Sequence, residues 1–335
     1  MVIILGDILA DYAIRIERLQ IQPKDLQRVS YLGLGPGGAC NVAIMASHLG
    51  LSVCALGEVG QDLFGEIVVE GLVAEGVDVS RVIVTPEART PVANVLVDEQ
   101  GEPAYLGFPG TLQVMSLPDE WRPFIASAEA LYADGWVDQP GETTIILAAL
   151  HEAHAAGVPS FFDPGPGNPK IDNTWHTEAA GLATVLLATE EEARRLSGEG
   201  DPVNSARVLL GRGSRLVVIK RGMAGCFLLT EEDLHIAPGL PVMALDATGA
   251  GDSLAAAVMY GYLNEFDLEA LGDLGNATGA AKVLKLGTGH NMPTIGEVNA
   301  MLRRFGSTVV LEPATANQQV ALAQKQLQAQ QQQHP

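Results

Sequence analysis

The richest chemistry in the chain lies in one run: Asp246-Ala247-Thr248-Gly249-Ala250-Gly251-Asp252-Ser253. Its small side chains let backbone come close to a ligand. Leu254, Val258 and Tyr262 then recur at intervals of four, so a helix is expected to start inside the run. Free N–H groups at a helix start attract phosphate through geometry and partial positive charge. Asp252 sits in that positive end. It either caps the helix or, beside an anion hole, takes a proton from an alcohol while the N–H groups hold charge developing on a transferring phosphoryl group. No Gly-Lys pair occurs anywhere, which excludes a P-loop.

A second run, Gly33-Leu34-Gly35-Pro36-Gly37-Gly38, has the letters G-x-G-x-x-G, with Glu58 twenty residues beyond its last glycine. Those are the letters of a dinucleotide fingerprint. Three features weaken an NAD-dependent dehydrogenase reading. Residues 28–32 belong to an expected hairpin, Pro36 falls inside the expected tight turn, and Gly57, Gly60, Asp62 and Gly65 have no place in the fingerprint. The plain alternative is a turn that caps a helix. In His151-Glu152-Ala153-His154 the histidines are three apart, not the four of a zinc-protease helix, so a solvated face is expected. Cys40, Cys54 and Cys226 are odd in number and widely spaced, which speaks against a disulfide framework or a zinc site. Cys40 reads as a small core residue. Asp163-Pro164-Gly165-Pro166-Gly167 is either a loop lining a site or a simple turn.

These residues need a frame. Apolar runs at 2–5, 52–56, 130–133, 158–162, 184–187 and 216–219 read as parallel strands buried on both faces. Helical spacing separates them: Val42, Met45 and Leu49 before Gly50; Ile145, Ala149 and Ala153 before Gly157; and 190–196 before Gly198. The alternation predicts an α/β fold, a Rossmann-like doubly wound, mostly parallel sheet with helices on both faces. Residues 12–34 and 92–106 break the rhythm and read as hairpins. Together they are expected to form a small β-sheet lid projecting from one edge, the alternative being ordinary surface hairpins. The chain has 335 residues, 47% of them apolar, with 20 basic against 40 acidic side chains, a net charge of −20. That balance excludes disorder and argues against nucleic acid as a partner, while leaving small anions open. No run approaches a membrane span, so a cytoplasmic protein is expected. Residues 306–335 form a C-terminal extension with a Gln-rich tail, to which no chemistry is assigned.

Gly37-Gly38-Ala39-Cys40-Asn41-Val42-Ala43, then Gly50, Gly60 and Gly65, together with 246–252, closely resemble the two signatures of ribokinase-like (PfkB-type) carbohydrate kinases. The resemblance implies a kinase domain over 1–305. It would phosphorylate a hydroxymethyl group on a small sugar or sugar-like substrate, using ATP and Mg²⁺ and, in some members, K⁺. Position by position, Asp252 resembles the catalytic base, and Thr248, Gly249, Ala250 and Gly251 the anion hole. Asp11, Gly37, Gly38 and Asn41 resemble the sugar-binding set. Thr189, Lys220, Gly222, Gly225 and Asn276 fall on the nucleotide side. Glu192 is where members organise Mg²⁺ through water, and Asp246, Thr248 and Gly287 are where they hold a monovalent cation. The chain departs from the family in reading Thr189-Glu190-Glu191-Glu192 where N-x-x-E is usual. It has Ala39 where some members carry a lysine, which leans toward a neutral substrate. The alternatives are a nucleoside kinase of the same fold and a non-catalytic sugar-binding regulator. An exposed edge of the lid sheet would suit a homodimer.

Overall fold

The computed structural model describes residues 1–24, 26–111, 113–136, 140–167 and 174–312; the Gln-rich tail lies outside them. The strands are β1 (Val2–Leu5), β2 (Ile8–Arg15), β3 (Tyr31–Gly38), β4 (Val53–Gly60), β5 (Asp78–Thr85), β6 (Val92–Val97), β7 (Pro103–Phe108), β8 (Ala130–Asp134), β9 (Ser160–Asp163), β10 (Val185–Thr189), β11 (Leu216–Lys220), β12 (Gly225–Leu229) and β13 (Leu234–Pro238). The helices are α1 (Ala39–His48), α2 (Leu63–Ala74), α3 (Arg122–Ala126), α4 (Pro140–Ala156), α5 (Trp175–Leu182), α6 (Glu190–Ser197), α7 (Pro202–Leu210), α8 (Ala250–Leu263), α9 (Leu268–Val283) and α10 (Ile295–Arg304).

Nine strands form the main sheet in the order β13-β12-β11-β10-β9-β8-β1-β4-β5. From β11 to β5 every pairing is parallel. The apolar runs are continuous because both faces are covered. Val2 and Ile4 face a layer that includes α1, α8 and α9, whereas Ile3 and Leu5 face α4 to α7. Burying each such aliphatic side chain contributes about 1.5–3 kcal/mol. The expected helix stops also form: Gly50, Gly157 and Gly198 all adopt positive φ, at 95°, 70° and 81°. The sequence did not announce β12 and β13, which extend the sheet antiparallel at one edge.

A second sheet has the order β3-β2-β6-β7. β2 with β3 and β6 with β7 are antiparallel hairpins, and β2 pairs with β6 in parallel, joining the two hairpins. One expectation holds here and one is corrected. The small sheet forms as expected from both hairpins, and the chain enters it once from β5, the edge strand, and once from β1 inside the main sheet, with only Gly6 and Asp7 between β1 and β2. The run Gly33 to Gly38 is not a tight turn but the body of β3, where Pro36 sits opposite Ala10. Proline is tolerated because β3 is an edge strand. The dinucleotide fingerprint fails with the turn. Glu58 is also fully engaged, accepting from the Thr85 hydroxyl at 2.5 Å and from the Gln113 and Val114 N–H groups at 2.8 Å each.

Candidate active site

The carboxyl ends of the parallel strands gather the polar residues, as open α/β sheets favour. Asp134 ends β8, Asp163 ends β9, Thr189 ends β10 and Lys220 ends β11. The loop of residues 246–249 and the first turn of α8 are drawn up to Lys220: a Cβ built on Gly251 would lie 3.7 Å from its Nζ. Gly249 precedes the helix with φ 77°, a conformation that favours glycine. The first N–H groups of α8 have no helical carbonyl to bond. Asp252, in that first turn, makes no capping hydrogen bond. Its Oδ2 instead accepts from Asn41 Nδ2 at 2.9 Å, while Asn41 Oδ1 accepts from the Gly289 N–H at 3.1 Å. The Thr248 hydroxyl is buried without a well-formed hydrogen bond among the described residues, and the Tyr105 hydroxyl is the group that approaches it.

Asp11, on β2, accepts from the Thr288 hydroxyl at 2.5 Å and lies over Gly37, where a Cβ would come within 2.1 Å of its Cγ. Gly37 therefore makes room for that carboxyl. Gly38, at φ 59°, passes so close to the Asp7 carbonyl that a Cβ would lie 2.3 Å from it. Burial pushes Asp11 up to about 7, with Asp252 and Asp246 adding repulsion against the relief from Thr288 and Asn41. Burial likewise raises Asp252, opposed by Asn41 and by the Lys220 and Lys282 ammonium groups. The four expected sugar-side residues, Asp11, Gly37, Gly38 and Asn41, thus stand together with Asp252.

Asp246 is fully buried and ties two loops, accepting from the Thr248 N–H at 2.9 Å and the Gly287 N–H at 2.8 Å. The three residues expected around a monovalent cation therefore share one carboxylate. On the nucleotide side, Gly222 (φ 54°) and Gly225 (φ 88°) shape the connection from β11 to β12. A Cβ on Gly225 would lie 2.2 Å from the Ala237 carbonyl, which Asn276 Nδ2 contacts at 3.2 Å, along with Pro238 O at 3.0 Å. Asn276 thus holds β13 against α9. Thr189 and Glu192 form a capping box at the start of α6, the Thr189 N–H donating to Glu192 Oε2 at 2.7 Å.

Lys220 and Asp163, both singled out in the sequence, meet here, whereas Asp134, Lys282 and Tyr105 escaped sequence reasoning. Lys220 Nζ donates to Asp163 Oδ2 at 2.5 Å, and the ion pair holds Lys220 charged despite its burial. Asp163 thereby belongs to the site and is no simple turn residue. Asp134 lies opposite Asp163 in the parallel ladder, and burial pushes it up to about 8. Lys282, on α9, is wholly buried behind Gly249. Tyr105, on β7, is half exposed and lies within the field of Asp252 and Asp11. Its ring meets Trp136 edge to face at 6.2 Å. A signal existed for the two aspartates, since each closes a buried apolar strand. Cys40 is buried, and burial raises its thiol, which suits an unreactive core residue.

This fold is that of a sugar or nucleoside kinase. The model of the pfkB family of carbohydrate kinases matches residues 1–295, and the chain belongs to that family. An ATP-dependent ribose-1-phosphate kinase from Halopiger xanaduensis is 30% identical over 298 residues, covering 89% of this chain and 96% of its own. A mouse ribokinase is 28% identical, covering 87% and 91%. A nucleoside kinase from Methanothermobacter thermautotrophicus is 26% identical, covering 92% and 96%. Among solved structures, an E. coli protein assigned as ribokinase II, in complex with ATP and Mg²⁺, superposes with a TM-score of 0.80 at 21% identity, covering 90% of this chain and 99% of that one. No helix among the described residues is long and apolar enough to cross a membrane.

Proposed function

We propose that the chain transfers the γ-phosphoryl group of ATP to a hydroxymethyl group of a small sugar, with Asp252 as the base. The observation that carries this reading is the placement of Asp252. Its carboxylate lies in the first turn of α8, is held by Asn41, and adjoins both Asp11 and the Lys220 ammonium. Asp252 removes the hydroxyl proton as the alcohol oxygen bonds to the γ-phosphorus. The bond from that phosphorus to the β,γ-bridging oxygen breaks, and ADP leaves with the electron pair. The free N–H groups of Gly251 and Asp252, together with Lys220, face the phosphoryl charge, while the Ala250 N–H closes the turn onto the Ala247 carbonyl at 3.3 Å. Asp11 and Asn41 orient the sugar hydroxyls. Gly222, Gly225 and Asn276 shape the nucleotide side.

Mg²⁺ fits this site in a particular way. Among the described residues no cluster of three or more His, Cys, Asp or Glu side chains forms a closed metal cage. Glu192 and Asp163 are both buried and repel one another, a carboxylate pair suited to a hard cation that keeps its waters and phosphate ligands. When bound, Mg²⁺ would neutralise phosphate charge. At the start of α1, Ala39 is buried and packs close to Gly6, which leaves no cation there for a phosphorylated acceptor and supports a neutral substrate. The Tyr105–Trp136 pair favours a second reading, in which the sugar carries a base that stacks on the rings, making the acceptor a nucleoside.

The test is a coupled ADP-release assay over free pentoses and hexoses, ribose-1-phosphate and nucleosides. Turnover on free sugars with Mg-ATP is expected. Turnover confined to ribose-1-phosphate would overturn the neutral-acceptor reading, and turnover confined to nucleosides would select the second. Asp252→Asn should lower kcat by about 10²–10⁴-fold with the circular dichroism spectrum unchanged. Near-normal turnover in that variant would remove Asp252 as the base. We further propose a homodimer through the free edge of the small sheet, where Leu106 and Phe108 stand exposed on β7.

A further inference from the structure

The family resemblance implies a monovalent metal ion beside Asp246, Thr248 and Gly287, yet the chain supplies a cation of its own there. Lys282 ends the run Ala280-Ala281-Lys282 near the close of α9 and has no exposed surface at all. A fully buried lysine is rare unless it is paired, and the purpose of this one is written in its surroundings. Its stem passes directly behind the glycine loop: a Cβ on Gly249 would lie 3.3 Å from Lys282 Cε. Its ammonium donates to the Lys285 carbonyl at 3.3 Å. The carboxylates that attract it are Asp246, Asp252 and Asp11, in that order. Both oxygens of Asp246 already accept backbone N–H groups, from Thr248 and Gly287. The backbone carbonyl and the buried carboxylate that a weakly hydrated monovalent ion would seek are therefore served by protein donors.

We propose that the Lys282 ammonium is the built-in cation of the glycine loop, standing in for a monovalent metal ion, so that phosphoryl transfer by this chain does not depend on K⁺. The inference rests on the kinase reading. Lys282 touches no reacting atom. It acts as a positioning residue, setting a positive charge beneath Gly249 and within the field of Asp246, whose two oxygens the backbone already holds. Burial and the neighbouring Lys285 lower the pKa of Lys282 against the pull of Asp246, Asp252 and Asp11, and a tethered ammonium needs no ion to be recruited from solution.

The test uses the full chain in buffers whose only monovalent cation is tetramethylammonium, Na⁺ or K⁺, at about 100 mM to equalise screening. With Mg-ATP and the best acceptor, wild-type kcat is expected to agree among the three salts within a factor of about two. Without substrates, K⁺ is expected to leave the melting temperature where tetramethylammonium leaves it. In Lys282→Met, kcat in tetramethylammonium should fall by about 10²-fold. K⁺ should then restore part of it and raise that variant's melting temperature, because the vacated space accepts an ion. A purely structural lysine would give no such ion-specific rescue. A wild type that gains tenfold or more from K⁺ or is selectively stabilised by it overturns the proposal, as does a folded Lys282→Met with undiminished kcat or with no response to K⁺. Should Lys282→Met fail to fold, the wild-type salt comparison decides alone. Should no acceptor be phosphorylated, the kinase reading fails, and the wild-type melting comparison still decides whether the loop takes K⁺.

Discussion

Asn41 has only one amide orientation that satisfies both of its neighbours. The Gly289 N–H requires an acceptor, which fixes Oδ1, so Nδ2 must point its hydrogens at Asp252. The donated bond favours the ionised form of a carboxylate that burial pushes the other way. A base works only when ionised, so kcat should rise with pH along a limb centred above the ordinary aspartate range. Asn41→Ala should shift that limb to higher pH, and a pH–rate profile of the two proteins checks it. Gly37 is the second residue with a sharp expectation. An alanine there would displace the Asp11 carboxyl, and displacements of about 1 Å cost up to about 10²-fold in rate. Gly37→Ala should therefore lower kcat/KM for the acceptor while leaving KM for ATP near its wild-type value, as steady-state kinetics with each substrate varied would reveal.

The elements show how far sequence could reach. The loop at 246–252 and the glycine run before α1 were legible as motifs because glycine at those positions answers to local needs: φ 77° at Gly249, φ 59° at Gly38, and the space over Gly37. Extended backbone through Gly33 to Gly38 was not legible, since proline and glycine usually mark turns. Only pairing with β2 and an edge position hold that segment straight. Lys282 and Asp134 were invisible for another reason. Their meaning lies in partners far along the chain, namely Asp246 and Asp252 for one and Asp163 for the other. Asp62 illustrates a local role that carries a pH signature. It caps α2 by accepting from the Gly65 N–H at 3.0 Å, and it accepts from the Thr90 hydroxyl at 2.8 Å and the Thr90 N–H at 3.1 Å, just before β6. Burial works against its charge, but these bonds outweigh burial and lower its pKa. The stabilisation is therefore complete above the unfolded carboxylate pKa and is lost as pH falls through the lower folded value. Asp62→Ala should cost about 1 kcal/mol at neutral pH, and the gap in melting temperature from wild type should close in strong acid.

At the scale of the whole molecule, the two sheets meet along the carboxyl ends of the parallel strands, and the small sheet covers the chemistry as a lid in our reading. Tyr105 brings that cover into the field of Asp252. ADP release without any acceptor should consequently be at most a small fraction of that with one, because water is excluded once the site closes. Comparable rates in both conditions would show that the sheet does not gate the reaction. The proposed dimer has its own expectation: light scattering should report twice the chain mass, and Phe108→Lys should return the monomer. Only Gly6 and Asp7 separate a strand locked in the main sheet from the strand that bears Asp11. So short a joint has almost no slack. Any tilt of the smaller sheet must swing Asp11 through the same arc, making the grip on the acceptor and the shutting of the entrance a single mechanical event.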